Sequence, residues 1–239
     1  MDIRDYLVRC AYKHNGDYNK ICKAIINKEK VGNYNIVDKY ITFFDEKYPI
    51  EFKKLRYPPW VIFYKGDISL LNKKCISIVG SRNACNYGIK VTKEIVKVNK
   101  DKVIVSGLAK GIDRVAHVEA IKHTKTIGII GSGFSVKYPY CNRDIYDIME
   151  NEHLIISEYP YHTKVQRHHF PFRNRLIASL GECLFVSQAT LKSGTMLTVN
   201  EAINLSKDVW VAPYPLFMEE GKGCNLLISQ GANILSDIF

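Results

Sequence analysis

The chain has 239 residues, 46% of them apolar and 24% charged, which is enough to bury one large α/β core and too apolar for a disordered chain. Lys and Arg outnumber Asp and Glu by 34 to 24, and the formal charge of +10 favours polyanionic partners. No run approaches the roughly 18 apolar residues that span a bilayer, and the charged start MDIRDYLVRC has no signal core.

The chain is therefore expected to be soluble and cytoplasmic, with no membrane partner. The seven cysteines, at 10, 22, 75, 85, 141, 183 and 224, form no CxxC and no Cys/His set with zinc spacing. Reduced thiols and no metal site are expected, which suits the same compartment. His168 and His169 lack a helical partner for a metal.

Residues 1–44 read as a small helical segment. Tyr6, Leu7, Cys10 and Ala11 share one helical face, Ile21, Cys22, Ile25 and Ile26 another, with the turn-like NGD between them. From Asp45 to Asp67 the prolines at 49, 58 and 59 punctuate a segment that ends in the short strand WVIFYKG and leads into the main domain.

From Lys74 onward the pattern is strand, turn, helix, repeated. Predicted strands are CISIV (75–79), VIVSG (103–107), TIGIIG (126–131), LIISE (154–158), CLFVS (183–187) and DVWVA (208–212), with a short final NILSD. Predicted helices cover residues 87–99, 112–123, 195–205 and 225–230, and RNRLIASL opens another. Near-continuous apolar strands between amphipathic helices indicate an α/β, Rossmann-like doubly wound fold with a mainly parallel sheet.

In such sheets ligands gather beyond the carboxyl ends of the strands. The turns there carry GSR (80–82), SGLAK (106–110), GSG (131–133) and SQATLKSGT (187–195). These hydroxyls, glycines and cations at helix starts predict a phosphate-accepting edge. The turn after LIISE is the most unusual. Between Glu158 and Glu182 there is no carboxylate, while Lys164, Arg167, Arg173 and Arg175 stand among His162, His168 and His169.

The nucleotide fingerprints fail. GSRNAC has one glycine where a dinucleotide turn needs three, GSGFSV is a weak match, and no Walker A occurs. No GxSxG elbow is present, and no cofactor is expected. Asp113 and His117 share a helical face, as an acid/base pair or as a helix-start carboxylate with a separately satisfied histidine. Glu158 is either a general base or a structural carboxylate paired with a nearby arginine or backbone N–H.

The segments GSR, SGLAKGIDRVAH, GSGFSVKYPYCNRDI, SEYP, FPFRNRLIASL, SGTMLTVNEA and GCNLLISQGA occur in this order. Together they resemble the DNA-processing protein A (DprA/Smf) family over residues 45–239. The resemblance implies a Rossmann-like core that binds single-stranded DNA without sequence choice and acts as a non-enzymatic recombination mediator. It also implies homodimerisation through that core and loading of the RecA recombinase in natural transformation or recombination.

By the same resemblance, phosphates meet Arg82 and Arg167, and Phe170 lies near a base or sugar. Arg173, Asn174 and Arg175 belong to the same motif, and Lys110 and Lys192 sit on the rim. Ser81 and Gly107, from the turns after the first two of these strands, complete the implied DNA-binding set. One of the arginines could pair with Glu158 and so be structural.

The chain departs from the family pattern in several places. Thr195 stands where a small residue is common, the acidic residue of the GSGFSVKYP motif is missing, and a carboxyl-terminal winged helix is not expected. A second reading is enzymatic. SGTMLTVNEA is also similar to the turn of nucleotide-cleaving lysine-decarboxylase-like (LOG) proteins, which would put Glu201 near a ribose.

Overall fold

The computed structural model describes residues 1–236. The chain runs α1 (Ile3–Lys13), α2 (Tyr18–Ile26), β1 (Lys39–Thr42), α3 (Ile50–Lys53), β2 (Val61–Gly66), β3 (Cys75–Gly80), α4 (Asn86–Val98), β4 (Val103–Ser106) and α5 (Ile112–His123). It continues with β5 (Thr126–Ile130), α6 (Arg143–Glu152), β6 (Leu154–Ser157), α7 (His169–Leu180), β7 (Leu184–Gln188), α8 (Thr195–Asn204), β8 (Val209–Val211), α9 (Lys222–Ser229) and β9 (Asn233–Ile234).

The strands form one sheet in the order β1-β2-β6-β5-β4-β3-β7-β8-β9. All pairings from β6 to β9 are parallel. β1 and β2 add an antiparallel edge, so the sheet is mixed and mostly parallel. This is the Rossmann-like α/β architecture expected.

The strands β4, β5 and β6 build outward from one side of β3, and β7, β8 and β9 from the other. The order therefore reverses between β3 and β7, and at such a switch point the crossover helices part and leave a crevice. At the end of β3 the register with β7 also slips, between Val79 and Gly80.

Successive side chains of a strand face opposite ways, and both faces of this sheet are covered. Ile62, Leu154 and Ile156 join a cluster that includes residues of α4, α5, α7 and α8. Val61, Phe63 and Ile155 join a second cluster with Leu7, Val8, Cys10 and Ala11 of α1, Ile21 and Ala24 of α2, and Tyr146 and Met149 of α6.

The amino-terminal helices are thus one cover of the sheet. Asp17 caps α2 by accepting from the Lys20 N–H at 3.0 Å, as an amino-terminal carboxylate should. Gly16 (φ +76°) lies so close to Glu158 and Tyr159 that a Cβ would stand 2.7 Å from the Glu158 carbonyl oxygen. Tyr18 packs on Tyr57, Trp60 and Phe172.

The outcome differs from the sequence reading in three places. β1 lies before residue 45 yet belongs to the sheet, so the sheet-bearing region starts at Lys39. The helix α6 was not anticipated from the RDIYDIMENE segment. Ile26, placed on a helical face with Ile21, is 77% exposed, because α2 turns Ala24 inward beside Ile21.

Candidate nucleic-acid interface

A cleft of about 590 Å³ opens at the carboxyl end of β3, between the turns that follow β4 and β7 and the start of α7. Its walls include Gly80 and Arg82 from β3 and its turn, Ala109 and Asp113 beside α5, and Ser193, Gly194, Thr195, Leu197 and Thr198 leading into α8. The remaining wall is Arg167, Phe170, Pro171, Arg173, Asn174 and Ile177 from the basic loop and α7, with Tyr138 opposite. Three arginines face one carboxylate in this lining, so the cleft attracts anions. The amino ends of α5, α7 and α8 converge there and add the positive ends of their dipoles.

Arg82 is exposed at the mouth of the cleft. Its backbone is held by its neighbour. The Ser81 N–H donates to the Gln188 carbonyl at 2.9 Å, and the Ser81 carbonyl accepts from the Ile112 N–H at 3.1 Å. Close approach of the two turns needs Gly111 (φ +71°), where a Cβ would lie 2.2 Å from the Ser81 carbonyl oxygen. The Arg82 guanidinium stands 5.4 Å from the Phe170 ring centroid, a cation–π contact. Arg167 is exposed on the loop just before α7, and Phe170 and Asn174 are half-buried on the cleft wall.

Arg173 forms the floor. It is 4% exposed, its Nε has no hydrogen-bond partner among the described residues, and Asp113, 6% exposed, lies close beneath it. Burial pushes the Asp113 carboxyl above its ordinary range, against the pull of Arg173. Burial likewise lowers Arg173 from its usual value, with Asp113 acting in the opposite sense. Gly107 makes this possible, since a Cβ there would stand 1.6 Å from Arg173 Nη1. Gly107 is therefore buried under the floor and is not a surface that DNA can reach.

Arg175 is a correction to the expected DNA-binding set. Its Nη1 and Nη2 donate to the Glu158 carboxylate at 2.5 and 2.6 Å. Its Nε donates to the Tyr57 carbonyl at 2.9 Å, and Phe172 lies under it at 3.7 Å. At 3% exposure it has nothing left to offer a phosphate. The open question about Glu158 resolves the same way. Its partner is Arg175, and it is a structural carboxylate.

Of the remaining expected residues, Lys110 and Lys192 are exposed beside the cleft and outside its lining. The Ser81 hydroxyl donates to the Asn83 carbonyl at 3.2 Å and accepts from the Asn83 N–H, so it shapes the turn that presents Arg82. Tyr138 was missed. It returns to the cleft from the loop after β5, with its ring 5.8 Å from that of Phe170. Its signal was the aromatic in VKYPYCNR, in a turn on the ligand edge.

The acid/base pairing of Asp113 with His117 does not form. His117 Nδ1 lies 2.8 Å from Thr126 Oγ1, and burial holds its pKa down, to about 3. Its folded value is below the ordinary 6.5, so the unfolded chain binds the extra proton first. The histidine's contribution to stability is present above pH 6.5 and lost as pH falls from there towards about 3. We expect urea unfolding to show stability falling in this window by up to ~1.4 kcal/mol per pH unit, with His117→Gln flattening that part of the profile. An unchanged slope in the variant contradicts the assignment. Glu201, the expected ribose contact of the enzymatic reading, lies on α8 outside the cleft lining.

A mostly parallel sheet with a cationic, aromatic-walled cleft at its switch point defines a Rossmann-like protein. The family model described as DNA recombination-mediator protein A matches residues 39–239. The chain belongs to this family, that of the DprA/Smf DNA-processing proteins. It is 42% identical over 201 residues to DNA processing protein DprA of Bacillus subtilis, covering 81% of this chain and 68% of the relative. It is 36% identical over 223 residues to the DprA of Streptococcus pneumoniae, covering 92% and 77%.

Two solved structures share the fold. The X-ray structure of the Streptococcus pneumoniae protein superposes with a TM-score of 0.82 at 33% identity, over 91% of this chain and 77% of that one. DNA processing protein A from Helicobacter pylori, a structure described for its single-stranded DNA binding mode, gives 0.77 at 30% identity, over 84% and 93%. No described helix is long and apolar enough to cross a membrane.

Proposed function

We propose that this DNA-processing protein binds single-stranded DNA without sequence preference in the cleft between β3 and β7. The observation that carries the reading is the juxtaposition of Arg82, Arg167 and Phe170 in one accessible cleft. Arginines hold phosphates through paired, charge-assisted hydrogen bonds, and a phosphate contact carries no base information. An aromatic face stacks on any base. Lys110 and Lys192 extend the positive rim, and Asn174 adds a neutral hydrogen-bonding group.

The ssDNA-binding relative supports the same reading by family. Loading of RecA onto the bound strand, and homodimerisation through the Rossmann-like core, complete the proposal. The cleft binds, and the chemistry of exchange belongs to the recombinase.

Competition between labelled oligo-dT and unlabelled oligo-dT, oligo-dA and a mixed sequence tests the mode of recognition. All three are expected to compete alike, and a duplex less well. A strong preference for one sequence overturns the reading. Sedimentation of the free chain tests the dimer, and faster RecA assembly on strands carrying the protein tests the loading role.

A further inference from the structure

The aromatic surface continues beyond Phe170. Tyr138 lies next to it, its ring 5.8 Å from that of Phe170 and inclined by 39°. Two residues on, Tyr140 is 75% exposed, with the Arg143 guanidinium 4.9 Å from its ring centroid. Tyrosine rings kept in water do nothing for the core.

The segment is held on both sides. The Tyr146 hydroxyl donates to the Tyr138 carbonyl at 2.8 Å. The Asn142 amide donates to the carbonyls of Leu108 and Ala109 at 2.8 and 3.0 Å, tying this loop to the turn that carries Lys110. Arg114 donates to the Cys141 carbonyl at 3.0 Å and grips Asp144 with two bonds of 2.8 and 2.6 Å. The backbone around Tyr140 is thus fixed while its ring stays free, and a platform fixed beforehand loses little entropy when it binds.

The charges agree. Asp144 is taken by Arg114 and Asp147 by Lys137, whereas Arg143 makes no ion pair among the described residues. Three aromatic faces, Phe170, Tyr138 and Tyr140, therefore stand between two cations, Arg82 and Arg143.

We propose that Tyr138, Tyr140 and Arg143 form a second stacking subsite that carries the strand out of the cleft across the start of α6. This rests on the single-strand reading above. A base leaving Phe170 stacks on Tyr138 and the next on the open face of Tyr140, while Arg143 covers the other face and reaches the adjoining phosphate. Occupants other than a continuing strand are separated by probe length, because only a continuing strand makes the subsite matter for long probes and not for short ones.

The test is anisotropy on a ladder of oligo-dT probes, from about 4 to about 20 nucleotides, spanning the usual site sizes of such grooves. Wild type is expected to gain affinity with length and then level off. Tyr140→Ala with Arg143→Ala is expected to match it on the shortest probes and to level off earlier, about tenfold weaker on the longest. Tyr140→Phe with Arg143 intact keeps the ring and is expected to follow wild type. The subsite is overturned if the double variant tracks wild type at every length, or loses the same factor at every length. A wild type that binds no probe overturns the single-strand reading as well, and so is told apart from failure of the subsite alone.

Discussion

Arg82→Ala is expected to weaken oligo-dT binding by about ten- to a hundredfold at low salt, the value of one charge-assisted phosphate contact. The affected residue is exposed, so thermal stability should not move. The salt dependence should move. Each phosphate neutralised on a single strand contributes ~0.7 to the slope of log affinity against log salt, and the variant should lose about that much. Arg82 also covers Phe170 at 5.4 Å, so its removal takes away one partner of the stacking face. Arg82→Lys keeps the charge without the planar fork and should fall between the two. Arg167→Ala is expected to act in the same sense, and the pair together to be roughly additive if they hold separate phosphates. An Arg82→Ala protein that binds as tightly and with the same salt slope as wild type contradicts this placement of the strand.

Arg175→Ala should do the opposite, costing stability first. Its guanidinium and the Glu158 carboxylate are both almost wholly buried, at 2.5 and 2.6 Å. Removing one partner strands the other charge in a low-dielectric interior, which costs about 3–5 kcal/mol. The carbonyls of Tyr57 and Phe172 lose their donors as well. Glu158→Gln is expected to be damaging for the same reason. Replacing both, as Arg175→Ala with Glu158→Gln, should cost less than the sum of the two singles, because no unpaired charge is left. Urea unfolding of the four proteins reads this directly, and additive losses would contradict a coupled pair.

The contrast between Arg82 and Arg175 marks how far the sequence could be read. Strand and helix were legible where burial is continuous or periodic. The apolar runs at 75–79, 103–107 and 126–131 became β3, β4 and β5, and the helix expected over 112–123 spans Ile112–His123. The cleft's place followed from topology, since switch points lie at strand carboxyl ends.

What could not be read depends on contacts remote in sequence. Arg167, Arg173 and Arg175 are the same chemistry along one stretch. One is exposed, one floors the cleft over Gly107, and one is locked to a carboxylate 17 residues away. The strand β1 is four residues long and takes its character from pairing with β2. In α6 the buried residues Ile145, Tyr146 and Met149 are few among polar neighbours, which hides the helix in a segment that otherwise looks like loop. The amino-terminal helices looked separable because their apolar faces are small. Those faces are one side of the core cluster around Val61, Phe63 and Ile155.

The role proposed for the cleft between β3 and β7 is to hold a single strand by its phosphates and by stacking. The most direct measurement is anisotropy of a fluorescent oligo-dT titrated with the wild-type chain at two salt concentrations. Tight binding is expected at low salt, weakening as salt rises, at ~0.7 in log affinity per log salt for each phosphate held. Absence of binding at low salt, or binding that ignores salt, contradicts it.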